Sequence, residues 1–96
     1  MTSVIWSPQA LLDLQSIRDY IAHDSPRYAD LVVHRLVAAV ERLEAFPQSG
    51  RVVPERNDEA IREVIVRPYR IVYRLCPGLA EIVTVFRASR LFPETT

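Results

Sequence analysis

Apolar residues recur at helical spacing in two segments of the first half of the chain. The first segment has a 4-3-4 spacing, at Ala10, Leu14, Ile17 and Ile21, and the second a 4-3-4-3 spacing, at Ala29, Val33, Leu36, Val40 and Leu43. A serine–proline pair precedes each segment, Ser7-Pro8 and Ser25-Pro26. Such a pair favours a helix start, because the hydroxyl accepts from an early N–H and proline at the first helical position loses no hydrogen bond. We therefore predict two amphipathic helices in an antiparallel hairpin, the second ending at Phe46-Pro47.

The period changes from helical to strand-like in the second half of the chain. Residues 48–57 are polar and contain a glycine and a proline, which is typical of an ordered loop. The segments beyond it are rich in β-branched and aromatic residues and are separated by Arg67-Pro68 and Pro77-Gly78. With a short run at the N-terminus, the predicted strands are residues 3–6, 61–66, 69–75 and 80–86.

This order of elements, β-α-α-β-β-β, determines the predicted architecture. Strands joined by short links pair as antiparallel hairpins, so the last three strands form a meander. The helical hairpin must bury its apolar stripe on one face of the resulting sheet. The sequence therefore predicts an α+β fold, an antiparallel sheet with a two-helix hairpin packed on one face. We expect one domain, residues 1–96, because a chain of this length is too short to divide.

The strand at 69–75 carries tyrosines on one face and arginines on the other. Alternation places Arg70 and Arg74 together, opposite the two tyrosines. Because an unpaired buried charge is costly, we expect these arginines on the face that the helices leave open. Arg62 or Arg67 from a neighbouring strand is expected to join them there.

Two interpretations of this arginine face remain open. In the first, the guanidinium groups pair across strands with Glu63 and Glu81, as charges on a solvated sheet face do. In the second, they bind an acidic or phosphate-bearing partner, since the planar guanidinium matches carboxylate and phosphate geometry. The partner-binding residues in the second interpretation are Arg51, Arg70, Arg74, Arg87 and Arg90.

Composition restricts the classes of function. Twelve basic and 12 acidic residues give a formal net charge of zero, which does not favour a general nucleic-acid binder. With two glycines and no metal-ligand spacing around His23 or His34, we expect neither cofactor nor metal. The apolar runs are too short to span a membrane. The single cysteine, Cys76, and the absence of a secretory pattern before Trp6 predict a cytoplasmic location.

Several motifs, taken in combination, are similar to those of a known group of toxins. They are Trp6-Ser7-Pro8-Gln9-Ala10, Asp13-Leu14, Ile17, Tyr20-Ile21, Phe46-Pro47-Gln48-Ser49-Gly50-Arg51, Val53-Pro54-Glu55, Arg62-Glu63-Val64, Tyr69-Arg70-Ile71-Val72-Tyr73-Arg74, and Val85 through Arg90 to Pro93. On these residues the chain resembles the RelE/ParE superfamily of toxins from type II toxin–antitoxin systems. The resemblance implies the same fold and a cognate antitoxin that wraps around the toxin and alone contacts operator DNA. We expect the antitoxin on the apolar exterior of the helical hairpin and at a sheet edge.

The superfamily has two branches with different targets. RelE-like members cleave messenger RNA on the ribosome, and ParE-like members inhibit DNA gyrase. For a nuclease, the resemblance implies Arg70, Arg87 and Arg90 as the catalytic residues. The chain has no lysine, however, and Arg87 stands where many relatives have histidine; because arginine stays protonated, it shuttles protons poorly. Glutamates that could serve as a base are Glu55, Glu59 and Glu63.

The depleted set of proton-transfer groups favours a ParE-like toxin that inhibits DNA gyrase and is neutralised by its antitoxin. The first alternative is a RelE-like, ribosome-dependent mRNA endoribonuclease, which would be an enzyme. The second alternative is a non-toxic plasmid-stabilisation or binding module.

Overall fold

The segments marked by the apolar pattern form the helices and strands of the protein. The computed structural model describes residues 2–89, which contain two helices, a 3₁₀ turn and five strands. They are β1 (Ser3–Trp6), α1 (Pro8–Ala22), α2 (Pro26–Glu41), the 3₁₀ turn (Arg42–Glu44), β2 (Arg51–Val52), β3 (Ile61–Val66), β4 (Tyr69–Cys76) and β5 (Leu79–Arg87). The predicted bounds agree closely, except that the second helix ends earlier and the predicted loop contains β2.

Both helices begin at the predicted serine–proline pairs. The Ser7 hydroxyl accepts from the Ala10 N–H at 3.0 Å, and the Ser25 hydroxyl accepts from the Tyr28 N–H at 3.2 Å. The Ser7 hydroxyl also donates to the carbonyl of Val83 at 2.9 Å, which fixes the start of α1 on β5. Neither helix within residues 2–89 combines the length and the apolarity that crossing a bilayer requires.

The five strands form one sheet in the order β1-β5-β4-β3-β2. The meander of β3, β4 and β5 is confirmed, with two-residue turns between its strands. The turn before β5 uses Gly78 with φ of +72°, a conformation in which a side chain would be strained. The predicted α+β architecture, a sheet with the helical hairpin on one face, is confirmed. The sheet is mixed and not wholly antiparallel as predicted, because the predicted strand β1 pairs parallel to β5 at one edge. One strand was not predicted: β2 pairs antiparallel to β3 at the other edge.

The main core lies between the helical hairpin and one face of the sheet, which we call the inner face; the opposite side is the outer face. Its buried residues are Ala10, Val32, Leu36, Val40, Leu43, Tyr69, Ile71, Tyr73, Ala80, Ile82 and Val85. One predicted core position is wrong. Val33 is half-buried, and Val32 is buried in its place because it lies one helical turn before Leu36 on the same stripe.

Candidate functional site

The outer face of the sheet carries a second, smaller apolar cluster. It consists of Val53, Val72 and Phe86, with Ile61 and Val83 packed against it. Val53 belongs to the loop that follows β2 and is fully buried, so this loop covers part of the outer face. The expectation of an open arginine surface on this face is therefore wrong in part.

Arg70 lies under this loop and is bound by two carboxylates. Its Nε donates to Glu63 Oε1 at 2.5 Å, and its Nη1 and Nη2 donate to the two oxygens of Glu55 at 3.0 and 2.9 Å. The guanidinium carbon also lies 5.2 Å from the centroid of the Phe86 ring, within the range of a cation–π contact. The side chain of Arg70 is only 9% exposed, so the predicted solvated guanidinium is in fact buried and paired.

Glu63 joins Arg70 to a second arginine. Its carboxylate is fully buried, and its other oxygen, Oε2, accepts from Arg51 Nε at 2.6 Å. A buried carboxylate without partners would be very unfavourable, but here each oxygen has a guanidinium donor. We call Arg51, Glu55, Glu63 and Arg70 the arginine–glutamate cluster. Two positive and two negative charges make the cluster neutral.

The contacts within the cluster keep its central ion pair charged. The hydrogen bonds to Glu55, and then those to Glu63, raise the pKa of Arg70 above its ordinary value. The hydrogen bonds from Arg70 lower the pKa of Glu55 below its usual range. Near neutral pH, neither side chain of this pair exchanges protons readily, so the pair suits charge recognition better than general acid–base catalysis.

The other predicted site arginines do not extend the cluster into one surface. Arg74 shares the outer face and lies 3.9 Å from Glu81, so cross-strand pairing with both predicted glutamates is confirmed. Arg87 lies directly opposite Tyr69, with its guanidinium 5.9 Å from that ring, and therefore points to the inner face. Arg90 lies outside the described residues.

A β-bulge explains why Arg87 points away from Arg70. Between β4 and β5 the register shifts at Val72/Tyr73, so that β5 has one extra residue there. Without the extra residue, alternation would place Arg87 on the same face as Arg70. With it, Phe86 stands opposite Arg70 instead.

Arg62 and Tyr73 hold the loop before β2 on the inner side. The expectation that Arg62 joins the outer face is wrong, because Arg62 stands opposite Tyr73; its Nη1 donates to the Gly50 carbonyl at 3.0 Å. The Tyr73 hydroxyl donates to the carbonyl of Pro47 at 2.8 Å and accepts from the Gly50 N–H at 3.0 Å. Burial raises the pKa of Tyr73, which keeps the hydroxyl protonated and able to donate.

Gly50 is required by this arrangement. A Cβ at this position would lie 2.5 Å from the Tyr73 hydroxyl and 2.7 Å from the Glu63 carbonyl oxygen. Alternation predicted that Tyr73 lies on the face opposite Arg70 and Arg74, but it did not predict the role of Tyr73 in positioning this loop. The available signal was the proline and glycine of the Pro47–Gly50 segment, whose backbone groups need partners when the loop packs against the sheet.

Two depressions flank the arginine–glutamate cluster. One, of about 300 Å³, is lined by Arg42, Arg51 and Ile65, among others, and the other, of about 460 Å³, by Arg74 and Val83, among others. Both have arginine, acidic and aliphatic side chains in their walls. Within residues 2–89, no three His, Cys, Asp or Glu side chains are grouped so that they could hold a metal ion.

The helical hairpin exposes apolar side chains on its outer surface. Leu11, Leu12 and Tyr20 of α1 are 52%, 60% and 78% exposed, and Tyr28 and Leu31 of α2 are 50% and 43% exposed. Large apolar side chains left exposed to solvent are candidates for contact with another protein. The antitoxin contact at the hairpin exterior stays a prediction, with these five side chains as its candidates.

The sequence is similar to a known protein family and to a curated relative. The sequence profile of the family described as "ParE toxin of type II toxin-antitoxin system, parDE" matches residues 4–92. "Toxin RelE2" of Caulobacter vibrioides is 40% identical over 91 residues, covering 95% of this chain and all of the relative.

Two solved structures share the fold. One is described as "Chromosomal ParDE TA system from P. aeruginosa", with a TM-score of 0.75, 24% identity, and coverage of 91% of this chain and 96% of that one. The other is the toxin-antitoxin complex RelBE2 from Mycobacterium tuberculosis, with a TM-score of 0.61, 19% identity, and coverage of 93% of both chains. At these identities the likeness establishes the architecture alone.

Proposed function

Because the chain belongs to the ParE toxin family of type II toxin–antitoxin systems, we propose that it inhibits DNA gyrase through protein–protein contact. A cognate antitoxin neutralises it. Family membership supports the antitoxin partner, and the exposed apolar side chains of α1 and α2 offer that partner a surface to cover.

The hydrogen bonding of Arg70 is the observation that most favours a gyrase inhibitor over a ribonuclease. Cleavage of RNA at a ribose requires groups that activate the 2′-hydroxyl, stabilise the charge on the phosphorane and protonate the leaving oxygen. The three nitrogens of Arg70 already donate to Glu63 and Glu55, and Phe86 lies against its guanidinium. An arginine engaged in this way, next to a carboxylate kept ionised by it, supports a binding role over a catalytic one.

A supercoiling assay tests the proposal. Purified toxin is titrated against DNA gyrase acting on relaxed plasmid, and loss of supercoiling at micromolar or lower toxin is the expected result. Addition of purified antitoxin should restore supercoiling. Full gyrase activity at a micromolar excess of folded toxin would contradict the proposal.

Exposed arginines supply matched variants for this assay. Arg74 and Arg87 point to opposite faces of the sheet, so the two variants also tell which face gyrase contacts. We expect Arg74→Ala to raise the inhibitory concentration by at least about tenfold, as for an arginine in the centre of an interface, and Arg87→Ala to raise it less. Arg35→Ala, an exposed arginine on α2, removes the same charge from another part of the molecule and should leave inhibition unchanged. Equal effects of all three variants would point to net charge and contradict a specific contact.

A second candidate function is ribosome-dependent cleavage of messenger RNA. The RelE name of the relative that is 40% identical favours it. Toeprinting on translating ribosomes would then reveal cuts within codons, and Arg70→Ala would abolish them. Intact messenger in growth-arrested cells would dismiss this candidate, and normal growth after induction without antitoxin would indicate a non-toxic binding module.

A further inference from the structure

Glu55 binds Arg70 as an external ligand would. Its two carboxylate oxygens accept from Nη1 and Nη2 of Arg70 at 3.0 and 2.9 Å, the bidentate geometry in which arginine recognises a free carboxylate. Glu63, by contrast, approaches the same guanidinium from β3, is fully buried and is part of the sheet. The guanidinium therefore has one permanent carboxylate partner and one partner supplied by a loop.

The attachment of Glu55 is local and exposed. Its side chain is 43% exposed, and the neighbouring residues 54–59 are all exposed, whereas Val53 anchors the start of the loop in the outer-face cluster. Movement of Glu55 away from Arg70 thus requires neither the sheet nor the apolar anchor to open. The main cost is the loss of one ion pair, which a competing anion can replace.

Removal of Glu55 would leave a recessed site of defined charge. Arg51, Glu63 and Arg70 together carry one net positive charge, and a single carboxylate restores neutrality. Phe86 lies against the guanidinium on one side, so the site suits a slender side chain with an apolar stem. A nucleic-acid backbone is a poorer fit, because Arg70 is nine-tenths buried and a bulky sugar–phosphate chain cannot follow a single carboxylate-sized group into the site.

We propose that Glu55 is an internal ligand that occupies the Arg70 site in the free toxin, and that an acidic side chain of a protein partner replaces it in the complex. This inference rests on the proposed function, in that the toxin acts by contact with proteins. It predicts a binding mode in which the partner gains an ion pair with Arg70 only after the loop tip has moved aside.

Chemical rescue of the isolated toxin tests this proposal. Glu55→Ala removes the loop carboxylate from Arg70, and acetate serves as the minimal carboxylate, compared with sodium chloride at equal ionic strength. If acetate binds with a dissociation constant of about 50 mM, then 200 mM acetate raises the folded-to-unfolded ratio of this variant roughly fivefold. Wild type and Glu59→Ala, which removes an exposed glutamate of the same loop, should respond to acetate no more than to chloride.

A second readout does not depend on how stable the variant is. The Nε–H resonance of Arg70 in a ¹H–¹⁵N NMR spectrum should shift with acetate in Glu55→Gln and Glu55→Ala. It should change little in wild type over the same range.

Two results would overturn the proposal. One is an equal response of Glu55→Ala and Glu59→Ala to acetate. The other is a response to dimethyl phosphate, the minimal nucleic-acid backbone, without any response to acetate. Because both readouts use the toxin alone, they are independent of the gyrase assay, and failure in that assay would count against the proposed function only.

Discussion

The two faces of β4 show how differently one strand can be stabilised on its two sides. On the inner face, Tyr69, Ile71 and Tyr73 pack under the helical hairpin in an apolar core. On the outer face, Arg70 is equally buried, but its neighbours are carboxylates and a loop. The comparison shows that alternation along a strand determines which residues share a face, whereas the cover over each face depends on chain segments distant in sequence.

The largest expected loss of stability comes from removing the Glu63 carboxylate on the outer face. Glu63→Ala leaves Arg70 buried without the carboxylate that β3 supplies, and removal of one member of a buried ion pair costs about 3–5 kcal/mol. We expect this loss in the free energy of unfolding measured with urea at pH 7. Glu59→Ala should change it by no more than about 0.5 kcal/mol, since it is an exposed substitution on the adjoining loop. A comparable loss of unfolding free energy in both variants would show that Glu63 contributes no more to stability than an exposed glutamate does.

A matching truncation on the inner face comes next. Leu36 is fully buried between α2 and the sheet, and Leu36→Ala should lower the free energy of unfolding by about 2–5 kcal/mol through lost burial and the cavity left behind. Leu12→Ala, at a position 60% exposed, should cost little. If Leu36→Ala cost far more than Glu63→Ala, the outer face would be a minor contributor and the comparison would fail.

The Tyr73 hydroxyl gives a smaller effect with a distinct pH dependence. Tyr73→Phe removes the donor to Pro47 and the acceptor for Gly50, which costs about 1–3 kcal/mol. The pKa of Tyr73 is raised in the folded state, so its contribution is complete below the unfolded value and is lost as pH rises through the folded one. Unfolding measured from pH 7 upward should therefore show the two proteins converging above about pH 10. A constant difference across that range would contradict this assignment.

Local sequence patterns predicted the helices and strands, whereas the face of Arg87 and the burial of Arg70 depend on long-range packing. The serine–proline pairs and the apolar stripes gave both helices, and alternation gave the faces of β4 correctly. The side of Arg87 was missed because a single extra residue in β5 reverses the alternation beyond it. The burial of Arg70 was missed because Val53 and Glu55 reach it from a loop 15 residues or more away in sequence, and polar composition alone predicts no particular docking site for such a loop.

The ion pair of Glu55 and Arg70 on the outer face should give a smaller effect, which depends on pH. Its pKa is lowered in the folded state by Arg70, so its contribution is present above the unfolded value and is lost as pH falls through the folded one. The stability difference between wild type and Glu55→Gln should therefore be largest at neutral pH, begin to shrink as pH falls below about 4, and vanish only once pH is below the lowered folded value. A difference that persisted unchanged into acid would mean that the charge of Glu55 is irrelevant to its contact with Arg70.

The smallest effect is expected for the ion pair of Arg74 and Glu81. Its atoms are 3.9 Å apart, and the side chains are 45% and 33% exposed, so solvent screening leaves a coupling of about 0–1 kcal/mol in a double-mutant cycle with Arg74→Ala and Glu81→Ala. Arg74 thus differs from Arg70 on the same face, because its guanidinium contributes little to the stability of the fold. That freedom is what a contact residue requires: Arg74→Ala should weaken gyrase inhibition while leaving unfolding nearly unchanged. A coupling well above 1 kcal/mol would instead assign Arg74 to the fold, and a loss of inhibition in that variant would then report damaged structure and not a lost contact.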